Sequence, residues 1–378
     1  MKIGVIGAGA SGIVFAINRK MLFPKDEVIV FEHLDKPLKK ILATGNGKCN
    51  IGNIVDISDQ YDAPIIKSIL KYYRYNVQKE FLEKINIKTK LVGTLAYPIS
   101  ESAVTVRNAL LKACDKYGVK IELESSPIDY QLSGGTITLF TNNGEFKLDK
   151  LVFATAGKSS PNLGSDGSIV PLLKKHGYKL KEFRPVLCPI YTKNRTKEVD
   201  GTRFKGKVSV YDDDEKLIFE ELGEVLFKDR GLSGIVIFNS TRYMKDEKPY
   251  RIRIDLLPDV SKEELKDFLK KNGRESLLET YLHPNLAKYI LKSDPNDKEL
   301  INHYLKAMTF IYDKAYGFEV SQVSAGGIRF KNVDAYLESK SEKGIYFIGE
   351  LLDYDGQCGG YNLMWAIATG LHVSKNIK

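Results

Sequence analysis

Lys2, Ile3, Gly4, Val5 and Ile6 make a short apolar run that leads straight into Gly7, Ala8, Gly9, Ala10, Ser11 and Gly12. A second apolar run over residues 28–31 ends in Glu32, twenty residues beyond Gly12. Glycines at this spacing, between a strand and a helix, suit the pyrophosphate of a dinucleotide. Gly7 permits the tight turn, Gly9 lets backbone amides approach the phosphates, and Gly12 lets helix and strand pack closely. Unpaired N–H groups at the helix start add a partial positive charge. Ala10 and Ser11 belong to the same turn. The carboxylate of Glu32 accepts from ribose hydroxyls, with His33 beside it and Lys40 a little further along.

Four further stretches carry polar or small residues where a ligand would need them. Thr44, Gly45, Asn46, Gly47, Lys48, Cys49 and Asn50 combine main-chain amides, side-chain amides and a cation, which suits a phosphate or a polar ring edge. Ala156 and Gly157 follow an expected strand over residues 151–154, at the strand end where ligands gather in open α/β sheets. Gly349 and Glu350 follow a buried strand over 344–348. Gly359 and Gly360 precede Tyr361, Asn362 and an apolar stretch to residue 373 that reads as a buried helix with its N–H groups facing a ligand. Two residues are catalytic candidates by position only, Tyr361 as an acid and Cys49 as a thiol. The thiol lacks the nearby second cysteine of a redox pair, so a small packing role is the simpler reading of Cys49. Cys49 and Cys358 are both expected close to the ligand.

These residues need elements to hold them. Helices are expected over 65–85 and 100–117, an extended segment over 91–97, and a strand over 119–124. A hairpin over 136–140 and 145–148 turns at Asn142, Asn143 and Gly144. From about residue 190 the texture changes to antiparallel alternation over 207–211, 217–221, 224–227 and 251–256. A helix opens at Ser261 with a capping-box pattern, and helical spacing runs to about residue 312. The organisation expected is α/β: a discontinuous nucleotide-binding domain over 1–190 and 311–378, an inserted antiparallel β domain over 191–260, and a small helical subdomain over 261–310.

The 378 residues are 43% hydrophobic, enough for a sizeable core. The net charge of +9 comes from lysines scattered among acids, which reads as solvated surface; a nucleic-acid partner is disfavoured without a recognisable motif. Cys49, Cys114, Cys188 and Cys358 are far apart and fit reduced thiols. No metal is expected: Asp212, Asp213, Asp214 and Glu215 read as a solvated hairpin tip, and His176, His283 and His303 as packing or surface residues. The apolar run over 3–17 contains the phosphate-loop glycines and is not read as a signal peptide. With no run long enough to cross a bilayer, a cytoplasmic protein without membrane contact is expected. Oligomeric state is not legible.

The segments GAGASG, TGNGKCN, ATAGKSSPNLGSDG, VSAGGI and GELLDYDGQCGGYNLMWA together resemble the BaiN-like flavoproteins, a family that also contains aminoacetone oxidases. The resemblance covers nearly the whole chain and implies a glutathione-reductase-type, Rossmann-like FAD domain interrupted by a β-rich and a small helical domain. It implies that Gly7, Gly9, Gly12 and Glu32 hold the adenosine half of FAD. Residues 44–50 would line the pyrophosphate and ring, Gly349 and Glu350 would meet the ribityl chain, and residues 359–362 the isoalloxazine. The implied activity is NAD(P)H-driven reduction of an activated C=C bond in a small apolar substrate, NAD(P)H visiting transiently because no second GxGxxG unit is present. O₂-dependent oxidation of a small amine is the alternative, and an RNA-modifying or RNA-binding flavoprotein the alternative from another class. The chain departs from the family pattern at Ala156, where a glycine is usual. It departs again at Lys228 and Asp229, where relatives tend to carry Thr-His before the Gly231-Leu232-Ser233-Gly234 turn, so substrate chemistry that uses the histidine does not transfer.

Overall fold

The computed structural model describes residues 1–245 and 248–378. The chain divides into two units, one of Met1–Arg184 with Val323–Lys378 and one of Pro185–Gln322.

In the first unit, five strands form a parallel sheet in the order Ile345–Phe347, Lys150–Phe153, Lys2–Ile6, Glu27–Phe31, Lys120–Glu122. Val5 lies beside Val152 on one side and Val30 on the other. Both faces of these strands are covered, which is why they read as continuous apolar runs without alternation. From Lys2–Ile6 the chain leaves towards Glu27–Phe31, while Lys150–Phe153 sits on the other flank. The reversal of order therefore falls between Lys2–Ile6 and Lys150–Phe153, and ligands bind outside the carboxyl ends of strands at such a point.

The opening helix, Ala10–Leu22, packs against the closing helix, Tyr361–Asn376. Gly370 makes the crossing close: a Cβ there would stand 2.7 Å from Ser11 O and 3.1 Å from Phe15 N. Arg19, 2% exposed, is paired with Asp26 and donates through Nη1 to Ser374 O and Ile377 O at 3.0 Å each, so it caps the far end of the closing helix. The segment 65–85 forms two helices, Pro64–Tyr72 and Tyr75–Lys84. Residues 91–97 are not one extended segment. They belong to a hairpin of Thr89–Val92 and Leu95–Pro98 that turns at Gly93 (φ +61), with Gly52–Asn53 as third strand. The hairpin Thr136–Thr141 and Gly144–Leu148 gains Pro127–Ser133 as a further strand.

The second unit is a closed antiparallel barrel of Ile190–Thr192, Gly231–Ser233, Leu217–Lys228, Arg203–Tyr211, Arg251–Asp255 and Met308–Ala315. Two sequence expectations need correction here. The strands expected over 217–221 and 224–227 are one strand, because Gly223 continues the ladder opposite Gly206. Helical structure ends at Leu305, and Met308–Ala315 is the strand that closes the barrel between Ile190–Thr192 and Arg251–Asp255. Residues 311–315 therefore belong to the second unit, and the boundaries fall at 184/185 and 322/323. The helices over 262–305 bury Leu265, Leu277, Leu286 and Ile290 in the same core as Ile252, Ile254 and Phe310 of the barrel. At their start the Ser261 hydroxyl accepts from the Glu264 N–H (3.1 Å), and a complete capping box forms at Asn296 and Glu299.

Candidate functional site

The glycine loop does what its spacing predicts. Gly7 adopts φ +105, and a Cβ on it would lie 2.6 Å from Ala154 O at the end of the neighbouring strand. A Cβ on Gly12 would lie 2.1 Å from Gly7 O and 3.2 Å from both Ala154 Cβ and Val5 Cγ1, so the helix can rest on the sheet only without a side chain there. Gly9 differs: a Cβ on it would meet nothing within 4 Å. It is the N-cap of the opening helix, whose first turn carries no acidic residue. The N–H groups of Ala10, Ser11 and Gly12 thus open onto space in front of Gly9 that an anionic group fits.

Glu32 anchors this loop from the next strand. It is 7% exposed; Oε2 accepts from the Ala8 N–H at 2.9 Å and Oε1 from the Leu34 N–H at 3.0 Å, with His33 Nδ1 at 3.2 Å from Oε1. Each carboxylate oxygen keeps a lone pair for a ribose hydroxyl. His33 Nε2 stands 4.0 Å from Asp166 Oδ2. Burial opposes ionisation of Asp166, but hydrogen bonds from Ser168 and the His33 ring outweigh it, so its carboxyl titrates below the usual range.

The segments after the loop converge on it. A Cβ on Gly349 (φ +71) would stand 2.5 Å from Ser11 Oγ, which places the turn after Ile345–Phe347 against the first turn of the opening helix. Gly349 is fixed on both sides: its N–H donates to Thr369 Oγ1 at 2.9 Å and its carbonyl accepts from Trp365 Nε1 at 3.0 Å. Glu350 pairs with Lys40 at 2.8 Å and accepts from the Ser324 N–H at 2.7 Å. Ser324 in turn accepts from the Lys158 N–H (2.8 Å), and a Cβ on Gly157 would be 2.8 Å from its side chain. Ala156 takes φ +62, the left-handed conformation that explains why relatives prefer glycine at this position.

Residues 44–50 curl through two left-handed residues, Gly45 and Asn46, with a third at Cys49. Asn50, oriented so that both ends of its amide are satisfied, donates to Ala96 O (3.1 Å) and Gly52 O (2.9 Å) and accepts from the Gly360 N–H (3.3 Å). That bond joins this loop to the start of the closing helix. Asn53 Nδ2 donates to Gly359 O at 3.1 Å, and Asn362 exchanges hydrogen bonds with both the N–H (2.8 Å) and carbonyl (2.9 Å) of Gly356. Gly359 and Gly360 take φ +112 and +90; a Cβ on Gly360 would be 2.8 Å from Asn50 Oδ1 and Gly52 O.

Cys49 is fully buried, and burial pushes its thiol up against the weaker pull of a Thr44 hydrogen bond. Cys358 is half-buried. Burial pushes the Tyr361 hydroxyl up as well, with Gln357 working against the shift and Asp56 reinforcing it. Asn53, Ser324, Thr369 and Trp365 hold the loops in place without having been expected to. Only the folded chain brings them within reach, and no local spacing marks them.

The arrangement fits FAD in its donor set. One helix start with an open glycine, a ribose-facing carboxylate and a second glycine-opened helix start are held by one network. Such a parallel sheet and site define an FAD-binding, Rossmann-type oxidoreductase. Residues 1–376 match the family described as HI0933-like protein Rossmann domain, and the chain belongs to that family. It is 31% identical to a 3-dehydro-bile acid delta(4,6)-reductase of Clostridium scindens, covering 98% of this chain and 97% of that one. It is 28% identical to a ribosomal RNA dihydrouridine synthase of Haemophilus influenzae, covering 96% and 94%. Among solved structures, the 3-ketosteroid-delta4-(5alpha)-dehydrogenase of Rhodococcus jostii superposes with a TM-score of 0.52 at 13% identity over 98% of this chain and 95% of that one, a likeness of fold. Among the described residues, no helix is long and apolar enough to cross a membrane.

Proposed function

We propose that this enzyme reduces a C=C bond conjugated to a carbonyl in a small apolar substrate, with electrons from NAD(P)H. The observation that carries the reading is full-length similarity to a bile-acid delta(4,6)-reductase, joined to a site in which the glycine loops are intact. FAD, when bound, supplies hydride transfer. The chain's part is binding and orientation. The opening helix's N–H groups take the pyrophosphate, Glu32 the ribose, and Lys40 with Glu350 the region between. The start of the closing helix faces the ring with its positive end, which favours the negative charge of the reduced form.

Tyr361 is the proton donor by position. Burial keeps its hydroxyl protonated at neutral pH, the state a donor needs. A second reading has a specific observation behind it. The rRNA dihydrouridine synthase relative, named for forming a reduced uracil ring, and the net charge of +9 favour the C=C bond of uridine in RNA as substrate.

The test is anaerobic stopped-flow of the purified holoenzyme, followed at the flavin's visible band. Rapid bleaching by NADPH, then recovery on adding an apolar enone, supports the reading. Recovery with a uridine-rich RNA but not the enone supports the second. Bleaching by aminoacetone but not by NADPH or NADH overturns both in favour of an amine oxidase.

A further inference from the structure

One face of the small sheet built from Gly52–Asn53, Leu95–Pro98 and Thr89–Val92 runs outward from the ring-side loop. Cross-strand partners point to the same face, and the register pairs Asn53 with Leu95, Leu95 with Val92, and Tyr97 with Lys90. Asn53 donates to Gly359 O, and Leu95 Cδ2 would lie 3.3 Å from a Cβ on Gly359, so this is the face turned to the glycine pair. Along it exposure grows with distance from Gly359: Asn53 is buried, Leu95 and Tyr97 are half-buried, and Val92 is 52% exposed. The opposite face is closed at Ala96 and Pro98. Ile54, whose N–H donates to Thr94 O at 3.0 Å, adds a further side chain 50% exposed beside the hairpin turn.

The charges at this ledge are already matched. Lys90, on the same face, pairs with Glu101 at 2.7 Å, and Glu101 also takes Lys48 at 3.1 Å. A phosphodiester chain is held by uncompensated cations. An apolar strip whose cations are neutralised suits an uncharged apolar body.

We infer that Leu95, Tyr97 and Val92 form the ledge that seats the apolar body of the substrate, setting specificity while the reacting end lies beside residues 359–362. The inference rests on the reading of the enzyme as a reductase of apolar conjugated substrates and deepens it. The probe is 4-androstene-3,17-dione, a neutral apolar enone, measured against oxidised holoenzyme by equilibrium dialysis and by the flavin difference spectrum. Val92→Lys places a charge on the exposed outer end of the ledge, where misfolding is not a concern. It weakens probe binding about tenfold or more, about 1.4 kcal/mol, while FAD content and the rate of bleaching by NADPH stay at wild-type values. Val92→Leu retains affinity, and Leu222→Lys, at an exposed apolar position of the barrel, leaves it unchanged. Val92→Lys and Tyr97→Ala both binding the probe as wild type does would overturn the ledge alone. Wild-type holoenzyme that bleaches with NADPH, recovers with uridine-rich RNA and fails to bind the probe overturns the apolar-substrate reading and the ledge with it.

Discussion

Gly9 and Gly12 are three residues apart in one motif, yet the structure gives them opposite physical jobs, and a pair of alanine substitutions separates them. At Gly9 the backbone is extended (φ −80, ψ −173), a conformation any residue adopts, and an added Cβ would meet nothing within 4 Å. Alanine is a poorer N-cap than glycine by roughly 0.5–1 kcal/mol, but it lowers the entropy of the unfolded chain by about 0.4–1 kcal/mol. The two offset, so the apoprotein keeps its thermal midpoint. The new methyl instead stands in the space before the Ala10, Ser11 and Gly12 N–H groups, where it pushes a pyrophosphate away. Weakening one charge-assisted hydrogen bond costs about 1.5–3 kcal/mol, so FAD affinity falls about 10- to 150-fold. Gly12→Ala behaves in the reverse order. Its Cβ would lie 2.1 Å from a backbone oxygen, Gly7 O, which cannot rotate away. Overpacking of this kind costs about 1–3 kcal/mol and lowers the thermal midpoint of the apoprotein itself. Differential scanning of the apoproteins, with FAD titration by fluorescence quenching, measures both quantities. A Gly9→Ala variant that binds FAD as wild type does, or that melts like Gly12→Ala, refutes the assignment of the open space to the cofactor.

Glu32→Gln replaces an acceptor of two backbone N–H groups by an amide that must turn its own N–H₂ towards one of them; apoprotein stability drops by about 1–3 kcal/mol and FAD binding weakens, both read from denaturant melts and titration. Ala156→Gly removes a left-handed alanine and raises the thermal midpoint, since that conformation costs a non-glycine residue about 1–2 kcal/mol; an unchanged or lower midpoint contradicts the strain. Iodoacetamide labels half-buried Cys358 before Cys49 and Cys114, whose thiols burial pushes up, Cys114 to about 12; equal labelling rates in a peptide map would count against a buried Cys49. Asp129 has its carboxyl lowered from 3.8 to about 2, because hydrogen bonds from Lys175 and His176 outweigh the cost of burial. A depressed folded-state value means stability that is present above about pH 4 and lost as pH falls towards 2. The thermal midpoint advantage of wild type over Asp129→Asn is therefore full at pH 5 and vanishes near pH 2, and a constant difference across that range excludes the linkage.

Much of the site was legible in the sequence because its glycines answer mechanical demands that act over a few residues. A tight turn at Gly7, a helix resting on a strand at Gly12 and an acid closing the next strand have fixed spacings. What was not legible depends on partners hundreds of positions away. Gly370 reads as one more small residue in an apolar helix until Ser11 O lies 2.7 Å from where its Cβ would be. Ser324 and Asn53 are likewise ordinary until they meet Glu350 and Gly359. The barrel's last strand is a different case. Met308, Phe310 and Tyr312 are buried while Thr309 is exposed, a period of two present in the sequence but masked by the helical spacing that runs up to Leu305.

The two glycine-opened helix starts come from opposite ends of the chain, and a cofactor gripped by both requires their separation to be fixed. The contacts along the opening and closing helices supply that rigidity without a large side chain at the crossing. Gly370 lets the backbones approach, Trp365 and Thr369 clamp the Gly349 peptide from both sides, and Gly349 rests on Ser11 in the first turn of the partner helix. At the far ends Arg19 ties the last carbonyls of the closing helix to Asp26. A rotation of one helix against the other would break a buried hydrogen bond at either end, each costing about 1–3 kcal/mol. The site's donors are therefore aimed by interhelical packing rather than by the loops that carry them. That is why glycine, the most permissive residue in the chain, can build a rigid cradle here.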